Sequence, residues 1–433
     1  MKNIGIVMEA YTDSSQAQKP RLNSADRNQA NTIPIQIDNL IEHDHPARII
    51  WRFVDGLDLS PLYQQVRALE GAAGRAATDA KILMAIWLFA IINHETSARR
   101  IAELCTTHLA YIWLCGGVGV NHHTLSDFWC QHEDYLQQQF TLHLAVLMKE
   151  GLIEIDRVAQ DGVRIRANAG AASFRRKETL EDCLEDAKKV MQEVNKQHED
   201  NPPSVSKRQQ AAQERAARER CERIEEALKQ IPEVEAKKKT EDDKKKARVS
   251  TTDPDSRVMK MANGGFNPAY NGEFSTDTAT QIIVGVDVVN EGSDQGQFTP
   301  MLDQIKDRTG KYPGEGLIDG GFASKDEIDK ATEKHIVVYA PIQKPKDKNR
   351  DPYKPLEGDS KAVASWRKRM GTEEAKEIYK ERAATAECVN AIARNRGLIQ
   401  LTVRGLKKVK VSLLWFALAH NVMRTASLCL KGA

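Results

Sequence analysis

Three acidic residues that are far apart in the chain stand out as candidates for chemistry. Asp319 follows the apolar pair Leu317 and Ile318 and precedes two glycines in GLIDGGFAS, and Asp161 precedes a glycine in VAQDGVRI. An Asp-Gly pair alone is a common hairpin signal, so a bare turn is one interpretation of each segment. The alternative is that each acid presents its carboxylate to a cation, which requires the acids to converge in the folded chain.

A third acid, Glu387, lies in YKERAATAECVNAIARNRG, within a long helix predicted from about Thr372 to Arg394. Carboxylates about 4 Å apart repel each other by roughly 4 kcal/mol at an effective dielectric constant near 20, so a cluster of three requires cations. Oxygen ligands select hard ions such as Mg²⁺ or Mn²⁺. Two such ions would activate an attacking oxygen and stabilise a leaving oxygen at phosphorus. Converging acids would therefore form a phosphoryl-transfer site.

The predicted helix carries further polar side chains on the face of Glu387. At 100° per residue, an arc of roughly 140° around the helix contains Glu387 together with Tyr379, Arg382, Asn390 and Arg394. Guanidinium groups suit bidentate contact with phosphate. An ordinary salt-bridged helix face is the alternative for these flanking residues.

The order of the elements predicts how the acids are positioned. Strands are predicted in LIEIDRVAQDGVRIRA, DSRVMKMA, TQIIVGVDVVN, GEGLIDG and HIVVYAPI. Short links favour antiparallel neighbours, whereas helical crossovers favour parallel ones. We therefore predict an α/β fold with an RNase H-like mixed five-stranded sheet, in which the first and fourth strands are central neighbours. Asp161 and Asp319 then meet beside the long helix, whereas the competing acid Asp287, on the third strand, is expected to have a structural or surface role.

The remaining segments predict the domain organisation. Residues 1–35 are polar and aperiodic, which predicts a flexible tail, and residues 36–150 have helical periodicity, which predicts an all-α domain. This domain would be DNA-binding if its glycine turn forms a helix-turn-helix. A short glycine turn between helices there suits a helix-turn-helix, although an ordinary helical bundle explains the pattern equally well. Residues 151–433 form the predicted catalytic core. The apolar run ILMAIWLFAII has only 11 residues, too few to span a bilayer, and indicates a buried helix.

An unusual segment interrupts the predicted core. Residues 175–250 are rich in charge and poor in aromatic residues, and they carry two narrow apolar stripes on either side of Asn201-Pro202-Pro203. This pattern predicts an inserted, coiled-coil-like helical hairpin. For Lys237 to Arg248, disorder is the alternative interpretation.

The charge distribution and the cysteines indicate the kind of binding partner and the cellular compartment. The 433-residue chain has a net charge of only +2, yet from Gln343 onward it has 20 Lys and Arg against 9 Asp and Glu. This local excess predicts a polyanionic partner, although a solvated surface is the alternative. Seven cysteines without a C-x-x-C pair suggest free thiols in a reducing cytoplasm. The first residues are too polar for a signal peptide, and no membrane is expected.

The sequence resembles the DDE-class transposases of bacterial insertion sequences from about Pro34 to Leu430. The resemblance lies in AQDGVRIRANAGAASFRRKETLE, in LIDGGFAS, in YKERAATAECVNAIARNRGL with the following VRGLKKVK and LWFALAHNVMRT, and in the N-terminal LIEHDHPARIIWRFVDGLDLSPLY and NHHTLSDFW. It implies cleavage of the ends of a mobile element and joining of the 3′-hydroxyl to target DNA. It also implies a homodimer on element ends and target, a bacterial cytoplasm, and association with the nucleoid when the protein is bound to DNA.

The resemblance also implies roles for individual residues. The catalytic, metal-ligating acids would be Asp161, Asp319 and Glu387, holding two Mg²⁺ or Mn²⁺ ions. The DNA contacts would come from Tyr379, Arg382, Arg394 and Arg396. Two departures concern these contacts: four residues rather than three separate Arg382 from Glu387, and arginine stands at position 394, where lysine is frequent. The alternative functions are a metal-dependent nuclease on the same core and a non-catalytic DNA-binding protein derived from a transposase.

Overall fold

A computed structural model describes residues 36–66, 68, 76–200, 207–343, 345 and 350–432. The helices are α1 (Pro46–Asp55), α2 (Ser60–Tyr63), α3 (Ala80–Ile92), α4 (Ala98–Thr107), α5 (Leu109–Cys115), α6 (His122–Cys130), α7 (Glu133–Lys149), α8 (Lys177–Asp200), α9 (Lys207–Ala236), α10 (Glu241–Lys244), α11 (Phe298–Thr309), α12 (Lys325–Glu333), α13 (Lys361–Met370), α14 (Glu373–Arg382), α15 (Cys388–Asn395) and α16 (Leu406–Gly432). The strands are β1 (Arg157–Arg166), β2 (Phe174–Arg175), β3 (Val249–Ser250), β4 (Arg257–Lys260), β5 (Phe266–Asp277), β6 (Ile283–Val289), β7 (Glu315–Leu317) and β8 (Val337–Tyr339).

The central sheet has the predicted RNase H-like mixed order. In the described part of the chain it has six strands in five positions, because β4 and β6 both pair with the edge of β5 that faces away from β1. β1 pairs antiparallel with β5 on one side and parallel with β7 on the other, and β7 pairs parallel with β8. The expectation that the strands carrying Asp161 and Asp319 are neighbours is therefore confirmed.

One strand differs from the sequence prediction. The second core strand is β5, whose sequence FNPAYNGEFSTD contains proline, two asparagines and glycine, which are residues that strands disfavour. The predicted strand DSRVMKMA is only the four-residue β4 at the sheet margin. β5 nevertheless holds its place because residues 268–277 are all buried between their neighbours, so tertiary packing overrides the weak local preference.

The N-terminal helices pack on the last helix of the chain. α3 is apolar on every side and is buried almost completely. The indole rings of Trp129 on α6 and Trp415 on α16 stack with centroids 5.6 Å apart and an angle of 6° between planes. Trp129 Nε1 also donates to Ser412 Oγ at 3.2 Å. One apolar core thus extends from these helices through α16 to β5 and β6.

Helix α16 is long and apolar enough to cross a membrane by length and composition alone. However, 56% of its most apolar window is buried inside the protein. Its side chains Phe416 and Leu413 contact the sheet, where Phe416 packs against Phe274 with ring centroids 5.4 Å apart. This burial is that of a core helix.

The charged insertion is a helical hairpin, as the sequence predicted. α8 and α9 pack on each other through a small apolar cluster that includes Leu180, Ala187, Ile224 and Ile231. The predicted break at Asn201-Pro202-Pro203 lies outside the described residues, as does the predicted tail over residues 1–35. The domain limits given above stay predictions.

Candidate active site

Asp161 lies in the middle of β1, on the central strand of the sheet. Its side chain is 19% exposed. Its Oδ1 accepts from the backbone N–H of Gly162 at 3.0 Å and contacts Arg382 Nη2 at 2.8 Å, and its Oδ2 accepts from Asn390 Nδ2 at 3.0 Å. A carboxylate fixed by three donors on a rigid strand is well oriented for a chemical role.

Asp319 lies two residues beyond β7, beside the level of Asp161 in the parallel register of the two strands. Its Oδ1 accepts from the backbone N–H groups of Gly321 at 2.6 Å and Phe322 at 3.2 Å, so the carboxylate caps its own turn. A Cβ atom at residue 321 would lie 2.9 Å from that oxygen. The second glycine of GLIDGGFAS therefore leaves room for the carboxylate of Asp319.

Glu387 ends a π-helical turn, Ala383–Glu387, inserted between α14 and α15. A π turn accommodates one extra residue in an otherwise α-helical segment. As a result Glu387 comes one turn after Arg382, and Arg382 Nη1 contacts Glu387 Oε1 at 2.7 Å. The four-residue spacing that departs from the family signature is absorbed by this turn, which the sequence prediction of a continuous α-helix missed.

A single guanidinium therefore joins two of the three acids. The Arg382 side chain is 10% exposed and contacts both Asp161 and Glu387. Burial lowers the pKa of Arg382, but the charges of Asp161, Tyr379, Asp319 and Glu387 raise it overall. Asp319 therefore lies within electrostatic reach of the same guanidinium.

The electrostatics also link Asp161 directly to Asp319. Burial raises the pKa of Asp161, the nearby Asp319 carboxylate raises it further, and Arg382 opposes both effects. Burial likewise raises the pKa of Tyr379. The charge of Arg382 opposes this rise, whereas the three carboxylates add to it. These shifts are typical of clustered functional carboxylates.

The donor atoms fit hard divalent cations, since all three predicted ligands offer carboxylate oxygens. Among the described residues, however, no three Asp, Glu, His or Cys side chains lie at the spacing of a closed metal site. The guanidinium of Arg382 takes the cationic position between Asp161 and Glu387. In this arrangement, metal binding between these two acids requires Arg382 to move away.

A second polar cluster, which the sequence did not reveal, lies beside Gly162 on β1. Buried Glu273 accepts from Asn271 Nδ2 at 2.6 Å and from Gln160 Nε2 at 3.3 Å, and Asn271 Nδ2 also donates to Asp294 at 2.7 Å. Arg164 contacts Asp294 Oδ1 at 3.1 Å. Burial and the charge of Asp294 raise the pKa of Glu273 well above its usual value.

This second cluster lies beside glycines that follow both strand-borne acids. A Cβ atom on Gly162, the residue after Asp161, would lie 3.0 Å or less from oxygens of Asn271, Asp294 and Glu273. A Cβ atom on Gly321 would lie 3.4 Å from Asp294 Oδ2. Gly162 thus makes room for the cluster. The acids of this cluster were not predicted from the sequence, because Glu273 lies on the strand that the sequence did not reveal and Asp294 lies in a polar loop.

The other predicted residues occupy different places. Tyr379 lies within electrostatic reach of the acids, whereas Arg394 is exposed and lines a cavity beside β1. Arg396 is half-buried, burial lowers its pKa, and its Nη1 has no hydrogen-bond partner in the described part of the chain. Asp287 pairs with Lys410 at 3.1 Å, and its structural or surface role stays a prediction.

A mixed sheet in this order, covered by helices and joined to an N-terminal helical unit, defines an RNase H-like α/β protein. Residues 35–130 match the family model described as Transposase domain (DUF772), and residues 346–426 match the Transposase DDE domain. Together the two matches support a DDE-class transposase of the insertion-sequence type. No curated protein and no solved structure matches the chain significantly. Glu387 lies within the second matched segment, whereas Asp161 and Asp319 lie outside both.

Proposed function

We propose that this transposase cleaves the ends of its element and joins the freed 3′-hydroxyl to target DNA at a site formed by Asp161, Asp319 and Glu387. The observation that carries this proposal is that Asp161 and Glu387 both contact the guanidinium of Arg382, while the charge of Asp319 acts on Arg382 and on Asp161, although more than 60 residues separate each acid from the next in sequence. Three carboxylates brought together against their mutual repulsion indicate a site that binds cations.

The acids would hold two Mg²⁺ or Mn²⁺ ions once Arg382 has moved away. When bound, such ions activate the attacking oxygen and stabilise the leaving oxygen at phosphorus. Asn390 and the N–H of Gly162 keep Asp161 oriented, and the turn at Gly321 keeps Asp319 oriented. The released guanidinium of Arg382, with the hydroxyl of Tyr379, would then contact a DNA phosphate, for which a planar guanidinium is well suited.

The partners follow from the same proposal. The N-terminal helices would recognise the terminal inverted repeats, and the core would supply the chemistry. Joining two ends calls for a homodimer on DNA. The protein would act in the bacterial cytoplasm and associate with the nucleoid when bound to DNA.

The test is a paired cleavage and strand-transfer assay on DNA carrying the element ends. Asp319→Asn should bind this DNA with unchanged affinity but lose cleavage by at least 100-fold, because it removes a ligand charge without changing shape. Asp287→Asn is the matched control, since Asp287 is an acid on the same sheet that pairs with Lys410.

The outcomes separate the alternatives. Wild-type protein that cuts without joining would be a nuclease, and wild-type protein that binds DNA without metal-dependent cleavage would be a non-catalytic binding protein. Near wild-type cleavage by Asp319→Asn would show that Asp319 is not a metal ligand.

A further inference from the structure

An open cavity of about 530 Å³ lies beside the catalytic strand and is lined by basic side chains. Its cations are Arg164, Arg166, Lys260 and Arg394, and none of its lining residues is acidic. The cavity adjoins the candidate active site in two ways. Gly162, which lines it, directly follows Asp161, and Arg394 lies one helical turn after Asn390, the amide that binds Asp161.

A second open cavity, of about 520 Å³, adjoins the first, since Gly292 lines both. It lies at the base of the helical hairpin, where the chain leaves α9 and returns to the sheet. Its cations are Lys237, Lys238, Lys246, Arg248 and Arg257, against the single acid Glu291. The hairpin thus contributes cations to a basic surface that begins at the active site; we call the two cavities together the basic track.

Most of the cations on the track are available for a partner. Lys237 pairs with Glu291, and Arg164 pairs with Asp294. Five others are exposed and make no ion pair within the described residues: Arg166, Lys260, Arg394, Lys238 and Arg248. They are spread over two adjoining cavities instead of converging on one point. This spread suits a row of phosphates, which duplex DNA presents at one charge per about 1.7 Å of helix axis, better than a single small anion.

We infer that the base of the hairpin insertion is a DNA-binding element, which holds the phosphate backbone of a duplex along the basic track as it leaves the active site. This inference rests on the proposed function. Contact with backbone alone carries no sequence information, so the track would stabilise element ends and target DNA alike.

The test measures DNA binding by the full-length protein in fluorescence anisotropy at several salt concentrations. Removing two cationic side chains that contact phosphates reduces the slope of log affinity against log salt concentration by about 1.8. This reduction corresponds to roughly 60-fold weaker DNA binding near 0.1 M salt. Lys238→Ala/Arg248→Ala should show this loss equally on element-end and scrambled duplexes. Both side chains are exposed, so the variant should fold as the wild type does, which circular dichroism would check.

The matched control is Lys189→Ala/Lys229→Ala, which removes two exposed lysines from the helices α8 and α9 of the same hairpin. Each of these lysines forms an ion pair with an acid of its own helix. It should bind as the wild type does. Equal binding by the two double variants would overturn the inference. At saturating protein concentration the track variant should still cleave, whereas a wild-type protein that never cleaves would instead contradict the proposed function.

Discussion

Replacing Arg382 by glutamine tests whether this guanidinium stands where a divalent cation would bind. Arg382 contacts Asp161 at 2.8 Å and Glu387 at 2.7 Å, with 10% of its own side chain exposed. Removing one partner of a buried ion pair costs about 3–5 kcal/mol. Because Glu387 is 53% exposed and solvent screens its charge, we expect about 2–3 kcal/mol here. The metal-free variant should be destabilised by that amount.

The free energy of folding that is lost with the Arg382 ion pairs should be gained in the binding of a metal ion. In the wild-type protein an incoming ion must displace the guanidinium from both carboxylates, whereas in Arg382→Gln the carboxylates are unpaired. At 1.4 kcal/mol per factor of ten, Mn²⁺ should bind the variant roughly 30- to 150-fold more tightly. Titration of Mn²⁺, followed by the electron paramagnetic resonance signal of the free ion, measures this difference directly.

Arg367→Gln is the control for loss of a buried ion pair elsewhere in the core. Arg367 pairs with Asp359 at 2.7 Å, and the two side chains are 13% and 0% exposed. This control should lose stability without any change in Mn²⁺ affinity. If Arg382→Gln binds Mn²⁺ no more tightly than the wild type, Arg382 does not compete with a metal ion for Asp161 and Glu387.

Two further predictions concern stability. Folding raises the pKa of Glu273, so the wild-type protein loses stability as the pH rises above the unfolded-state pKa. Glu273→Gln cannot ionise, so its free energy of unfolding relative to the wild type should increase as the pH rises above the ordinary pKa of glutamate, as measured by urea unfolding at several pH values. Parallel pH profiles of the two proteins would contradict this. Trp415→Ala removes the stacking on Trp129 and should cost about 3–5 kcal/mol. Limited proteolysis should then cut α3–α7 as well as α16, and cutting in α16 alone would argue against a shared core.

The sequence sufficed to predict the sheet order and the neighbouring strands of Asp161 and Asp319, because these follow from the alternation of apolar strands with helical crossovers. It did not reveal β5. That strand is held by burial between two neighbours, and its own residues, such as Pro268 and Gly272, argue against a strand. Local propensity has no access to burial that distant segments provide.

The same limitation applies to the site. The residue types sufficed to predict the three acids and the helix face that carries Arg382 and Asn390. The π turn at Ala383–Glu387 could not be predicted, because the helix was assumed to be a regular α-helix with 100° per residue. That turn determines how Glu387 meets Arg382. The cluster around Glu273 and Asp294 could not be predicted either, since it requires the register of β5 against β1, in which Glu273 faces Gly162.

The position of α16 bears on how DNA recognition and chemistry are connected in this chain. Its Trp415 packs on the N-terminal helices, while its Lys410 pairs with Asp287 on the central sheet. His420 on the same helix bonds the backbone carbonyl of Gln281 through Nε2 at 2.9 Å, and burial lowers its pKa to about 4. If the N-terminal helices bind an element end as proposed, a displacement of those helices would reach the sheet that carries Asp161 through the packed side chains of α16.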